Sequence, residues 1–143
     1  MKSKSSQFEF LEHTGDVKFR AHGDTVEKLF EHCALALSSL FSRGKKVAVR
    51  SRQEFTVSGE DYEALLYSFL DELIYLFDAK QFVIARVDVT LKRGDEYVLN
   101  AVVHGDSTSR YKDLDAVKAA TYAEMYVKQL ENKNWEAQVV LDV

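Results

Sequence analysis

Apolar residues recur along this chain at two periods, and the switches between them mark out the elements. Phe8, Phe10 and Leu11 open an apolar stretch that reads as a first strand. Glu12-His13-Thr14-Gly15-Asp16 follows as a loop, since Thr, Gly and Asp favour turns. Val17, Phe19 and Ala21 then alternate with Lys18, Arg20 and His22, the period of a half-buried strand. From Asp24 the period lengthens. Leu29, Phe30, Cys33, Ala34, Leu37, Leu40 and Phe41 recur at helical spacing. This helix is predicted to start at Asp24, whose carboxylate caps the free amides with Glu27 at capping-box spacing, and to stop at Gly44 in the left-handed conformation.

Residues 47–57 read as extended, with Phe55 and Val57 alternating against Glu54 and Thr56. A second helix is predicted over 60–77. Glu60, Asp61 and Glu63 stand in its first turn, where the helix dipole favours acids. Leu65, Leu66, Phe69, Leu70, Leu73, Ile74 and Phe77 form its buried face. Strands are predicted over 82–92 and 97–104 around a Gly94-Asp95 turn, followed by a polar loop over 105–115. A hairpin of 117–129 and 135–142 closes the chain around the turn 131–134. This order predicts an α+β fold: a mostly antiparallel β-sheet packed with two amphipathic helices, in one compact domain over 1–143 with residues 1–7 disordered.

Composition narrows the classes. Hydrophobic residues are 46% and charged residues 29%, as in soluble globular proteins. The single cysteine, Cys33, excludes an internal disulfide framework and fits a reducing compartment. The polar start has no apolar core of a signal peptide, and no segment is long enough to span a bilayer. A cytoplasmic protein with no membrane partner is expected. The net charge of −4, with basic residues dispersed apart from Arg43-Gly44-Lys45-Lys46, argues against autonomous binding of RNA or DNA. It fits a basic protein or a cation better.

Candidate chemistry gathers at the two ends. Asp16 and Asp142, with the free α-carboxylate of Val143 and with His13 nearby, form an oxygen-rich set of the kind hard divalent cations take. The plainer alternative is a turn cap at Asp16 and a solvated strand end at Asp142. His13 lies in the acidic loop, where a neighbouring acid favours its charged form. Lys118, between Val117 and Ala119, is either a solvated outer-face lysine or a cation aimed at an anion or a partner's carboxylate. Cys33, on the apolar face of the first helix, reads as a core residue rather than a nucleophile. Tyr62, Tyr67, Tyr75, Phe69 and Phe77 read as packing residues of the second helix. No His-x-x-x-His pair, dinucleotide or phosphate loop, or serine nucleophile elbow is present.

Five blocks carry a family resemblance. Phe10-Leu11-Glu12-His13-Thr14-Gly15-Asp16-Val17 resembles the opening motif of the archease family. Residues 24–31 and 69–77 resemble its two helices, Val117-Lys118-Ala119-Ala120-Thr121-Tyr122 its penultimate strand, and Val139-Val140-Leu141-Asp142-Val143 its last. The blocks run in order from Phe8 to Val143. Four departures stand out. Glu12 replaces the family's Asp, Gly15 its Ala, and Ala116 its Glu before the Val-Lys pair. The 105–113 loop also lacks the acidic, proline-containing segment ending in His.

The resemblance implies an accessory protein, not itself an enzyme, that activates an RtcB-type RNA ligase in tRNA splicing. It would promote guanylylation and multiple turnover and meet tRNA only through the ligase. The resemblance also implies a divalent-metal site (Ca, Mg or Mn) near the fold's two ends. Asp16 and Asp142 would be the functional carboxylates, with Val143 beside them, Lys118 supporting, and Glu12 and His13 in the neighbouring loop. Two other readings remain open: a metal-dependent hydrolase using the same acids, and a general RNA-binding or chaperone module.

Overall fold

Among the described residues, seven antiparallel strands divide between two sheets, and two helices lie between them. The structure, a computed structural model, describes residues 7–143. The elements are β1 (Phe8–Leu11), β2 (Val17–Gly23), α1 (Val26–Ser42), β3 (Ser51–Gly59), α2 (Tyr62–Lys80), β4 (Phe82–Arg93), β5 (Tyr97–Ser107), β6 (Ala119–Gln129) and β7 (Trp135–Asp142), with a 3₁₀ turn at Thr108–Arg110. One sheet has the order β1-β2-β7-β6 and the other β3-β5-β4. Helix α1 packs on β2 and β4, and α2 on β3 and β6, so each helix bridges both sheets. The α+β class expected from the pattern is what forms, with the antiparallel strands shared between two sheets.

Alternation explains which face of each sheet is dry. Phe19 and Ala21 on β2, and Ala137, Val139 and Leu141 on β7, point at α1 and are almost wholly buried. Lys18, Arg20 and His22 point the other way. The helices meet the core with Leu29, Phe30, Leu37 and Phe41 on α1 and Leu65, Phe69, Leu70 and Leu73 on α2. Phe41 stacks on Phe77 with ring centroids 4.2 Å apart, and Phe30 meets Phe69 at 5.5 Å. Tyr62 stacks on Tyr97 and Tyr67 on Tyr122, so these aromatics do pack, whereas Tyr75 stays half-exposed. Cys33 is fully buried, and burial pushes its thiol far above the usual range. Among the described residues, no helix is long and apolar enough to cross a membrane.

Several boundaries differ from the sequence pattern. Thr25, not Asp24, caps α1: its hydroxyl accepts from the Lys28 amide at 3.1 Å, which moves Glu27 out of the capping-box position. Helix α1 stops over two left-handed residues, Arg43 (φ 58°) and the expected Gly44 (φ 82°), whose amides bond to Leu40 and Ser39 carbonyls. Asp61 caps α2, so Glu60 lies outside the helix. Strand β5 continues through Gly105, Asp106 and Ser107, which the pattern assigns to a loop. Regular strand begins at Ala119, leaving Lys118 just outside it, and β6 breaks register against β7 between Thr121 and Tyr126. Gln7 accepts a hydrogen bond from the His22 amide at 2.9 Å, so it continues the pairing at the edge of β1. The remainder of the expected disordered lead, 1–6, lies outside the described residues.

Candidate functional site

The ladders of the four-stranded sheet bring the chain's two ends together. β2 pairs with β7 as far as Val17 opposite Leu141, which leaves Asp16 and Asp142 each one residue beyond this last pair. β6 pairs with β7 from the other side, with Ala119 opposite Asp142, and the Lys118 amide donates to the Asp142 carbonyl at 2.9 Å. Asp16, Lys118, Asp142 and Val143 therefore share one end of the sheet. Asp16 is 40% exposed at its side chain, while Asp142, Lys118 and Val143 are exposed. Gly15 precedes Asp16 at φ 80°, a conformation that glycine adopts without the usual Cβ penalty. Beneath Val143 a cleft is lined by Val17, Leu40, Ala116, Val117 and Asp115.

Beside this corner lies an ion-pair cluster that sequence reasoning finds only in part. His13 Nε2 stands 3.2 Å from Glu124 Oε2, and the Lys18 ammonium donates to Glu124 Oε1 at 3.1 Å. Hydrogen bonding from Lys18 and then His13, with their charge, holds the Glu124 carboxyl below the usual range. His13 Nδ1 is 4.0 Å from Asp16 Oδ2 and is buried without a hydrogen-bond partner. Glu124 sits in the β6 irregularity with φ 55°, which turns its side chain toward β2. Nothing in the residue pattern marks this bulge, so Glu124 and Lys18 are the residues that the sequence misses. Glu12 is exposed and makes no hydrogen bond among the described residues.

The polar face continues along the sheet. The Gln138 amide donates to the Glu124 carbonyl and its oxygen accepts from Arg20, both at 2.9 Å. Glu136 accepts from the Tyr126 hydroxyl and pairs with His22 at 2.8 Å. Burial and then Glu136 push the Tyr126 phenol up to about 12.

The corner offers oxygen donors, which suits a hard divalent cation. Among the described residues no group of three His, Cys, Asp or Glu side chains stands close enough to hold a metal ion. Asp16 and Asp142 alone supply two carboxylates, so a hard cation held there would need further oxygen ligands from main chain, a partner or water.

The fold and corner together define a small α+β protein that presents acids at a sheet end. The chain matches the Archease protein family (MTH1598/TM1083) over residues 8–143 and belongs to that family. It is 37% identical over 140 residues to protein archease of Pyrococcus furiosus, covering 96% of this chain and 99% of that one. Protein archease of Methanosarcina mazei is 34% identical over 147 residues, with both chains covered completely. The solution structure of Methanobacterium thermoautotrophicum protein 1598 superposes with a TM-score of 0.79 at 29% identity, covering 96% of this chain and 99% of that one. Membership supports an accessory role in tRNA processing.

Proposed function

We propose that this protein activates an RtcB-type RNA ligase by presenting its acidic corner to the ligase's nucleotide-handling site. What supports the reading is the pairing of β2 with β7 up to Val17 and Leu141, which leaves Asp16 and Asp142 at the same sheet end, with Ala119 opposite Asp142 and the Lys118 amide bonded to the Asp142 carbonyl. Asp16, Asp142 and the main-chain oxygens of Val143 would hold a divalent ion such as calcium, magnesium or manganese. Such an ion, when bound, supplies charge that offsets phosphate oxygens during nucleotide transfer. Lys118, exposed beside Asp142, would hold the carboxylate geometry or meet a phosphate oxygen. His13 and Lys18 keep Glu124 engaged, so the Asp16 loop is braced against β6. The net charge of −4 suits docking on a basic, RNA-binding face in the cytoplasm and raises encounter rate more than affinity.

The test is ligase guanylylation with Asp16→Ala and Asp142→Ala proteins whose circular dichroism matches the wild type. Loss of stimulation of at least tenfold in each is expected. Full stimulation by both folded variants removes the carboxylates from the mechanism.

A further inference from the structure

Asp106 is the one acidic residue buried among the described residues, with 3% of its side chain exposed, and it lies on the three-stranded sheet, not on the four-stranded sheet that carries the acidic corner. Burying a carboxylate is costly unless its oxygens are satisfied, and here both are. Oδ2 accepts from the Tyr111 hydroxyl at 2.8 Å and from Arg50 Nε at 3.1 Å. Oδ1 accepts from the Ser107 amide at 2.8 Å and lies 3.3 Å from Arg110 Nε. One buried acid therefore orients two guanidinium groups, and both are engaged through Nε. Each arginine side chain remains 57% exposed, and no Nη nitrogen of either makes a hydrogen bond among the described residues.

Two cations around one carboxylate leave a surplus positive charge, and the surroundings add to it. Arg52, His104 and Arg86 form the next row of the same sheet face. Glu54 and Asp88 pair with Arg52 and with Arg86 and His104 there. The Lys45 ammonium donates to the Lys112 carbonyl, and Arg43 pairs with Asp115 at 3.7 Å, which ties the 43–50 segment to the 110–115 segment. Residues 43–54, 86–88 and 104–115 together carry eight Lys or Arg against five Asp or Glu, on a chain whose net charge is −4. The face beyond these rows holds Thr56, Asn100 and Thr90 and then Ser58, Val98 and Lys92, with no aromatic ring on which a base could stack.

We propose that Arg50 and Arg110, oriented by Asp106, form a phosphate fork that takes the sugar-phosphate backbone of an RNA strand. Free Nη pairs on pre-oriented guanidiniums match phosphate oxygens in geometry and charge. Arginine contacts to phosphate oxygens read the backbone and not the bases, so binding is independent of sequence. The choice of RNA as the source of phosphate rests on the accessory role in tRNA processing. The fork adds direct RNA contact to a reading in which RNA is met only through the ligase.

The test is fluorescence anisotropy of a labelled single-stranded oligoribonucleotide with the full chain, titrated between about 50 and 200 mM salt. Wild-type binding is expected with a Kd on the order of 10⁻⁴ to 10⁻⁶ M, weakening linearly in log–log form as salt rises. The Arg50→Gln/Arg110→Gln protein is expected to bind at least tenfold more weakly, with a salt slope smaller by roughly 1.4, the value for two lost single-strand phosphate contacts. The Gln pair takes both cations from the buried Asp106 carboxylate, so its melting temperature is expected to fall, and binding is compared well below that midpoint with circular dichroism matching wild type. The Arg50→Lys/Arg110→Lys protein keeps the charge and loses the fork, and is expected to fall between the two. Absence of wild-type binding, an unchanged slope in the Gln pair, or a Lys pair equal to wild type each overturns the proposal. Ligase guanylylation contains no RNA, so the Gln pair should stimulate it fully, whereas Asp16 and Asp142 variants should fail there with RNA binding intact. That contrast separates failure of the fork from failure of the acidic corner.

Discussion

Gly105→Ala tests how closely β4 and β5 approach each other at the end of the three-stranded sheet. A Cβ built on Gly105 falls 2.1 Å from the Val83 carbonyl oxygen and 3.0 Å from two Phe82 ring atoms. Carbon–oxygen contacts are ordinarily about 3.3–3.6 Å, so the overlap with backbone exceeds about 1 Å. A side-chain tip can swing aside. A paired strand cannot do so without breaking ladder bonds, and the Gly105 carbonyl also accepts the Arg50 amide at 2.9 Å. Overpacking of this kind costs about 3 kcal/mol. Unfolding entropy of about 2.1 cal/mol/K per residue gives roughly 0.3 kcal/mol/K for a chain of this length, so the melting temperature should fall by about 10 °C. Gly44→Ala is the control: it meets nothing within 4 Å and carries only the left-handed strain of φ 82°. That strain is worth about 1–2 kcal/mol, or roughly 3–6 °C. Thermal denaturation followed by circular dichroism at neutral pH reads both. A Gly105→Ala midpoint within about 2 °C of wild type, or a larger loss from Gly44→Ala, would refute the close-approach reasoning.

Acid should destabilise the fold through Glu136 and Asp106. Burial pushes both carboxyls upward, but Tyr126 and His22 hold Glu136, and Tyr111, the Ser107 amide and the two arginines hold Asp106, below their unfolded values of 4.5 and 3.8. A depressed carboxyl stabilises the fold above its unfolded pKa, and that contribution is lost as pH falls through the folded pKa. The melting temperature should therefore drop between about pH 5 and pH 3, by less in Glu136→Gln than in wild type; equal drops would exclude Glu136. Cys33 should resist an aromatic disulfide reagent in the native protein and react fully in denaturant, because it is wholly buried. Rapid labelling under native conditions would contradict that burial.

The hydrophobic periods made both helices and all seven strands legible, because each element buries one face. Helix α1 and β2 could be read residue by residue in this way: Phe19 and Ala21 point inward and Lys18, Arg20 and His22 outward, as alternation requires. Asp106 misled the pattern, because a charged residue beside Gly105 and Ser107 reads as loop unless its partners are known. Those partners, Arg50, Arg110 and Tyr111, are assembled by β3 pairing and the turn after β5. At the candidate site, acids at both ends of the chain suggested one shared corner, but the β2–β7 pairing that brings Asp16 and Asp142 to one sheet end is a long-range contact that no local pattern announces. Glu124 was not legible either, since its place depends on a register break without a local signal.

The two sheets differ in how far along the polypeptide their partners lie. β3, α2, β4 and β5 form one uninterrupted run, so the three-stranded sheet can assemble from neighbours. The other sheet must join Arg20 to Gln138, 118 positions away, before β7 can sit between β2 and β6. Loop-closure entropy thus falls mainly on the sheet that carries the acidic corner. The arginine-bearing half can order early, and the aspartates become neighbours only when the last strand slots home.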